Sequence, residues 1–187
     1  LLENFPIYED IYEFGGHLWK GKVDIVSGGF PCQAFSHAAR GKNNAPDLWP
    51  EMLRIVKEVQ PTYVFGENVQ DKPISRAADH LYELGYTCRY TCLSAADLGA
   101  PTIRKRYWLV ANSNTNCELR QPEYVKTPGS PALPLMEFWQ DDSGTMGVHD
   151  GLSSRLDRPR LQSLGNAQVP ACAVMAWQLL SDGWLHT

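Results

Sequence analysis

No run of this sequence is apolar for long enough to cross a bilayer, and its start lacks the basic-then-apolar pattern of a secretory signal. A membrane-spanning or exported chain is therefore not expected, and a cytoplasmic one is. The five cysteines, at positions 32, 88, 92, 117 and 172, are odd in number and include no Cys-x-x-Cys pair. That argues against a disulfide framework and predicts reduced thiols. Cys88 and Cys92 share one face of a predicted strand, but His17 and His80 are not at zinc-finger spacing, so no metal site is expected. Net positive charge is also missing: the balance is -4 at pH 7. The chain as a whole does not advertise nucleic-acid binding, yet charge can be local. Arg104-Lys105-Arg106 and the group Arg155, Arg158 and Arg160 are basic clusters, each readable as a phosphate contact or a solvated face.

What is present is an ordinary globular composition. The 187 residues are 43% hydrophobic and 20% charged, which suits one domain with a sizeable core. Val23-Asp24-Ile25-Val26 reads as a buried strand running into a tight loop at Ser27-Gly28-Gly29. Leu48, Met52, Ile55, Val56 and Val59 fall at helical spacing, closed by Pro61. Thr62 to Phe65 is a second strand, about Ile74 to Leu84 a second helix stopped by Gly85, and Tyr86 to Leu93 a third strand. Arg106 to Val110 is a fourth strand, and Val169 to Leu180 a last helix. Strands alternating with helices predict a mostly parallel α/β sheet with helices on both faces. Residues 1–111 then form a core, 112–150 an irregular insertion, and 151–187 a return to the core.

Ligands of such sheets bind beyond the carboxyl ends of the strands. Cys32 lies in the loop after the first strand and Glu67 at the end of the second. Arg104 and Arg106 open the fourth, which is the wrong end unless that strand runs antiparallel. A thiol, a carboxyl and a guanidinium converging form a set of nucleophile, acid and anchor. Taken singly, a cysteine is more often a small buried hydrophobe, a strand-end Glu-Asn a turn former, and paired arginines a solvated face. The Gly-Gly and Pro neighbours of Cys32 favour an exposed loop.

Together, Gly28-Gly29-Phe30-Pro31-Cys32-Gln33-Ala34-Phe35-Ser36, Glu67-Asn68-Val69, Arg104-Lys105-Arg106 and Gly165-Asn166-Ala167-Gln168-Val169-Pro170 resemble, in order, the DNA cytosine-5 methyltransferases. The resemblance covers most of residues 9–111 and 152–180, and the segment around Cys32 is its most specific part. It implies a Rossmann-like methyltransferase sheet, S-adenosylmethionine as cofactor and double-stranded DNA as partner. It also implies Cys32 as nucleophile on carbon 6 of a flipped cytosine, Glu67 as the group facing ring N3, and Arg104 and Arg106 as anchors of the base and active-site loop. Asp10, Pro31, Leu48 and Asn166 resemble cofactor-pocket residues. Gln33 and Ser36, with Arg40 beyond them, resemble a mobile loop that meets DNA. The implied setting is a bacterial cytoplasm or a phage-infected host, in a restriction-modification role.

The sequence also departs from that family. Members normally open with a strand and a Gly-rich Phe-x-Gly turn, then an acidic strand end for the ribose. Neither is expected here, so the sheet is expected to lack its first strands and the cofactor pocket to be incomplete. Thr102 stands where the family has Gln, and the 112–150 region is short for target recognition, as in compact phage and prophage members. Two readings follow: the catalytic part of a DNA methyltransferase completed by a missing amino-terminal segment or subunit, or a non-catalytic remnant that binds DNA or a partner without cofactor. An RNA cytosine methyltransferase is a third.

Overall fold

The computed structural model of the protein describes residues 6–30, 46–100, 103–113, 119–127 and 168–184. Its centre is a five-stranded mixed sheet of β1 (Ile25–Gly29), β2 (Tyr63–Asn68), β3 (Thr87–Ser94), β4 (Lys105–Asn112) and the short β5 (Glu123–Tyr124), in the order β1-β2-β4-β3-β5. β1 runs parallel to β2, and β3 parallel to β5, while β4 is antiparallel to both β2 and β3. The expectation of a mostly parallel sheet is therefore corrected, although the arginines had pointed to the strand that turns. The cause is the β3–β4 connection, which contains a 3-10 turn at Ala95–Leu98 and no crossover helix among the described residues. A parallel return needs a crossover of a dozen or more residues, usually helical. A capping box closes the turn: Asp97 N–H donates to Ser94 Oγ, and Ser94 N–H donates to the Asp97 carboxylate at 2.7 Å. Gly99 then takes a left-handed conformation, φ 83°, that favours glycine.

Among the described residues three helices flank the sheet: α1 (Trp49–Val59), α2 (Asp71–Glu83) and α3 (Pro170–Ser181). Side chains alternate along β4, so Leu109 and Ala111 meet α1 and α2 on one face. Trp108 and Val110 meet Cys172, Ala176 and Leu180 of α3 on the other. Helices thus cover both faces, as a Rossmann-like sheet requires. Phe30 at the end of β1 packs on Trp49, with ring centroids 4.9 Å apart, and the buried Trp49 indole donates to His80 Nδ1 at 2.9 Å. Truncating aromatic side chains buried this completely costs about 3–5 kcal/mol each, so this cluster anchors the end of β1 where the site begins.

Two local expectations change. Ser27-Gly28-Gly29, read as a loop, completes β1, with Gly28 paired to Gly66 and Gly29 to Glu67. The glycines suit close approach and not a turn, since a Cβ at Gly28 would stand 3.3 Å from Met52 Sδ. β5 was not anticipated: two residues carry too little pattern to show in sequence. No helix among the described residues is long and apolar enough to cross a membrane.

Candidate active site

The reversal of β4 resolves the position of the arginines. Because β4 pairs Trp108 with Glu67 and Tyr107 with Asn68, its first residues arrive beside the carboxyl end of β2. Arg106 Nε lies 2.9 Å from Glu67 Oε1, and both side chains are largely sheltered, 17% and 12% exposed. The contact is an ion pair without hydrogen-bond direction, because Oε1 has no donor in line among the described residues. One buried carboxyl oxygen is thus compensated in charge without a hydrogen-bond donor in line among the described residues.

Burial raises the Glu67 carboxyl above its ordinary range, more than Arg106, a hydrogen bond from Gln168 and the charge of Arg104 lower it. Arg104 stands in the same field: burial and then Arg106 push its guanidinium down, while Glu67 pulls it up. The predicted trio of Glu67, Arg104 and Arg106 is brought together.

Two neighbours carry weight that their motifs did not reveal. Asn68, 3% exposed, donates from Nδ2 to the Phe30 carbonyl at 2.8 Å and accepts the Gln70 N–H at Oδ1. It ties the end of β2 to the residue that precedes Pro31 and Cys32. Gln168, two residues before α3, reaches the Glu67 carboxyl from the opposite end of the chain. Both were inside quoted motifs, but a motif does not say which way its side chains face. Gly29 completes the cluster: a Cβ there would stand 3.1 Å from Glu67 Oε2 and 3.9 Å from Gln168 Nε2.

Gly29 also lines a cavity of about 500 Å³. Its walls include Tyr8, Ile11, Phe14 and Trp19 from the segment before β1, then Leu48 and Met52. The predicted Leu48 is therefore at this cavity. Asp10 is not among its lining residues; the exposed Asp10 carboxylate caps a turn by accepting the Tyr12 N–H at 2.9 Å. The wall is held by Arg54 of α1, which donates to the Ile11 and Phe14 carbonyls and pairs with Glu51 and Glu58. Glu58 in turn accepts the Gly16 N–H at 2.7 Å. That bond and the Arg54 guanidinium hold the Glu58 carboxyl below its usual range.

Pro31, Cys32, Gln33, Ser36, Arg40 and Asn166 lie outside the described residues. The cysteines that are described are poor nucleophiles. Burial raises the thiols of Cys88 and Cys92, and pushes that of Cys172 up to about 11.

A mixed sheet with helices on both faces defines a Rossmann-like α/β protein. Residues 3–140 match the model of the C-5 cytosine-specific DNA methylases, and the chain belongs to that family. The type II methyltransferase M.NgoMIV of Neisseria gonorrhoeae is 32% identical over 184 residues, covering 91% of this chain and 56% of that protein. M1.HphI of Haemophilus parahaemolyticus is 34% identical over 119 residues, 57% of this chain and 32% of that one. The chain thus spans about half or less of the length of these relatives. Among solved structures, a DNMT2 variant of Spodoptera frugiperda aligns with a TM-score of 0.49 at 22% identity, over 64% of this chain and 40% of that one.

Gly29→Ala is expected to slow any reaction that depends on the Glu67 carboxyl by roughly tenfold, since a Cβ 3.1 Å from Oε2 makes that oxygen give by a few tenths of an ångström. Single-turnover kinetics with a parallel melting curve check it. A loss of folding instead of rate would refute the steric argument.

Proposed function

We propose that this chain carries the catalytic machinery for transfer of a methyl group from S-adenosylmethionine to carbon 5 of cytosine in double-stranded DNA. The carrying observation is Gly29, which walls the apolar cavity on one side and abuts the Glu67 carboxyl on the other. A donor pocket and an acceptor-handling carboxyl separated by one backbone segment suit group transfer between two ligands.

The cavity fits the adenosyl part of the cofactor by size and by lining. About 500 Å³ bounded by Tyr8, Ile11, Phe14 and Leu48 suits a flat, mostly apolar ring. When bound, S-adenosylmethionine supplies an electrophilic methyl group.

The protein's own residues make carbon 5 nucleophilic. The Cys32 thiolate adds to carbon 6, and the electron pair of the 5,6 double bond shifts toward carbon 5 and the N3 side of the ring. Glu67 meets that charge at N3 with a proton or a strong hydrogen bond, which its raised pKa favours. Arg106 compensates the carboxylate left behind, and Arg104 adds positive potential beside it. Loss of the carbon 5 proton to a base and expulsion of the thiolate then restore the aromatic ring. A stacked base cannot be reached in this way, so the cytosine is flipped out of the duplex.

Gln33, Ser36 and Arg40, in the segment around the nucleophile, are assigned to the DNA, and Pro31, Leu48 and Asn166 to the cofactor. The names of the relatives favour a type II modification role in a bacterial cytoplasm. The test is transfer of labelled methyl from S-adenosylmethionine to carbon 5 of cytosine in duplex DNA. No transfer together with no calorimetric binding of S-adenosylhomocysteine would place this chain among remnants that bind DNA or a partner without cofactor instead. In the same calorimetry, Arg54→Leu is expected to weaken binding about tenfold, because the carbonyls of Ile11 and Phe14 lose the donor that holds the cavity wall. Unchanged affinity would remove that segment from the cofactor site.

A further inference from the structure

The geometry points to Gln168 as a positioning residue that sets the direction and ionisation of the Glu67 carboxyl; the inference rests on the assignment of Glu67 to the reaction. The two residues are 101 positions apart and meet because α3 is seated on the β3–β4 face. Cys172, Ala176 and Leu180 are buried there, so the segment just before α3 is placed over the end of β2. From it, the Gln168 amide reaches the carboxyl: its Nε2 and Glu67 Oε2 stand 3.9 Å and 3.1 Å from the same Cβ position at Gly29, and the amide favours the charged form. Gly29 supplies the room, since a side chain there would crowd both Glu67 Oε2 and Gln168 Nε2.

An amide does something at this position that a second guanidinium would not. Arg106 favours only the carboxylate, whereas an amide can donate through its NH₂ to a carboxylate or accept through its C=O from a carboxylic acid. Glu67 can therefore gain and lose a proton while keeping its partner. Arg106 faces Oε1, leaving the carboxyl held from β4 on one side and from the carboxy-terminal segment on the other. The rotation of the carboxyl about its last bond is thereby restricted. In its donating state Gln168 favours the ionised form, opposing the effect of burial.

The test is a carbon-13 carboxyl NMR titration of Glu67 in the full chain, as wild type and as Gln168→Leu and Gln168→Met. Gln168 is an exposed residue that precedes the helix, so these variants are expected to fold. Both are expected to raise the Glu67 pKa by about one unit, the loss of one hydrogen bond to the charged form. Two unchanged titrations would overturn the proposal, whatever happens to the melting temperature. The pH profile of kcat separates this from the function assigned to Glu67. If the titration moves and the profile does not, Gln168 governs the carboxyl, but that carboxyl is not the acid of the reaction.

Discussion

Cys32→Ser is expected to abolish the covalent complex with duplex DNA containing 5-fluorocytosine in the presence of S-adenosylmethionine. Fluorine at carbon 5 cannot leave as a proton does, so a thiol that has added to carbon 6 stays attached. Serine keeps the size of the side chain but not its nucleophilicity. A thiolate is available at neutral pH at the cost of a small pKa shift, whereas an alkoxide is not. The rate of trapping is expected to fall about 10³-fold or more. Denaturing electrophoresis of the complex reads the result directly. Trapping by Cys32→Ser at the wild-type rate would pass the role to another thiol. Cys88, Cys92 and Cys172 are poor substitutes, because burial keeps all three protonated.

Glu67→Gln is expected to lower kcat by about 10²–10⁴-fold while leaving DNA affinity within a few-fold of wild type. The amide is close in shape to the carboxyl and fits the same space between Arg106, Gln168 and Gly29. It can still donate a hydrogen bond to N3, but it cannot deliver a proton. The pH dependence carries a second sign. Burial raises the folded pKa of Glu67 above that of the unfolded chain. The protonated form therefore persists to higher pH than at a surface glutamate, and activity that depends on it declines as pH rises through the raised value. The associated stability behaves in the same direction: full below the ordinary carboxyl range, lost as pH climbs past the folded pKa. Glu67→Gln is expected to remove both dependences. A variant that keeps the wild-type profile would show that another group sets it.

Periodicity made most of the scaffold legible. Leu48 through Val59 and Ile74 through Leu84 spelled out two of the helices, and short continuous apolar runs marked β2 and β4. What stayed hidden has physical causes. Gly28 and Gly29 looked like a loop because glycine punctuates chains, yet here it serves close packing within a strand. The direction of β4 was legible only as a contradiction: arginines opening a parallel strand would have been at the wrong end. At the site, Glu67 and Arg106 were legible only as members of an ordered set of motifs, since each alone reads as a turn or a solvated face. Gln168 was not, since an uncharged amide beside a helix start carries no periodicity and its partner is distant in sequence. Asn68 did prove a turn former, and a buried anchor as well. The Asp10 carboxylate accepts the Tyr12 N–H, a local turn that its motif did not reveal.

The shared wall at Gly29 has a thermodynamic consequence. The same backbone lines the donor cavity and limits the carboxyl's room, so a ligand that shifts it on one side alters the fit on the other. Any such effect is reciprocal: the factor by which cofactor changes the affinity for the flipped base equals the factor by which the base changes the affinity for cofactor. Order of addition is then a matter of rates, and the two occupancies form one linked equilibrium.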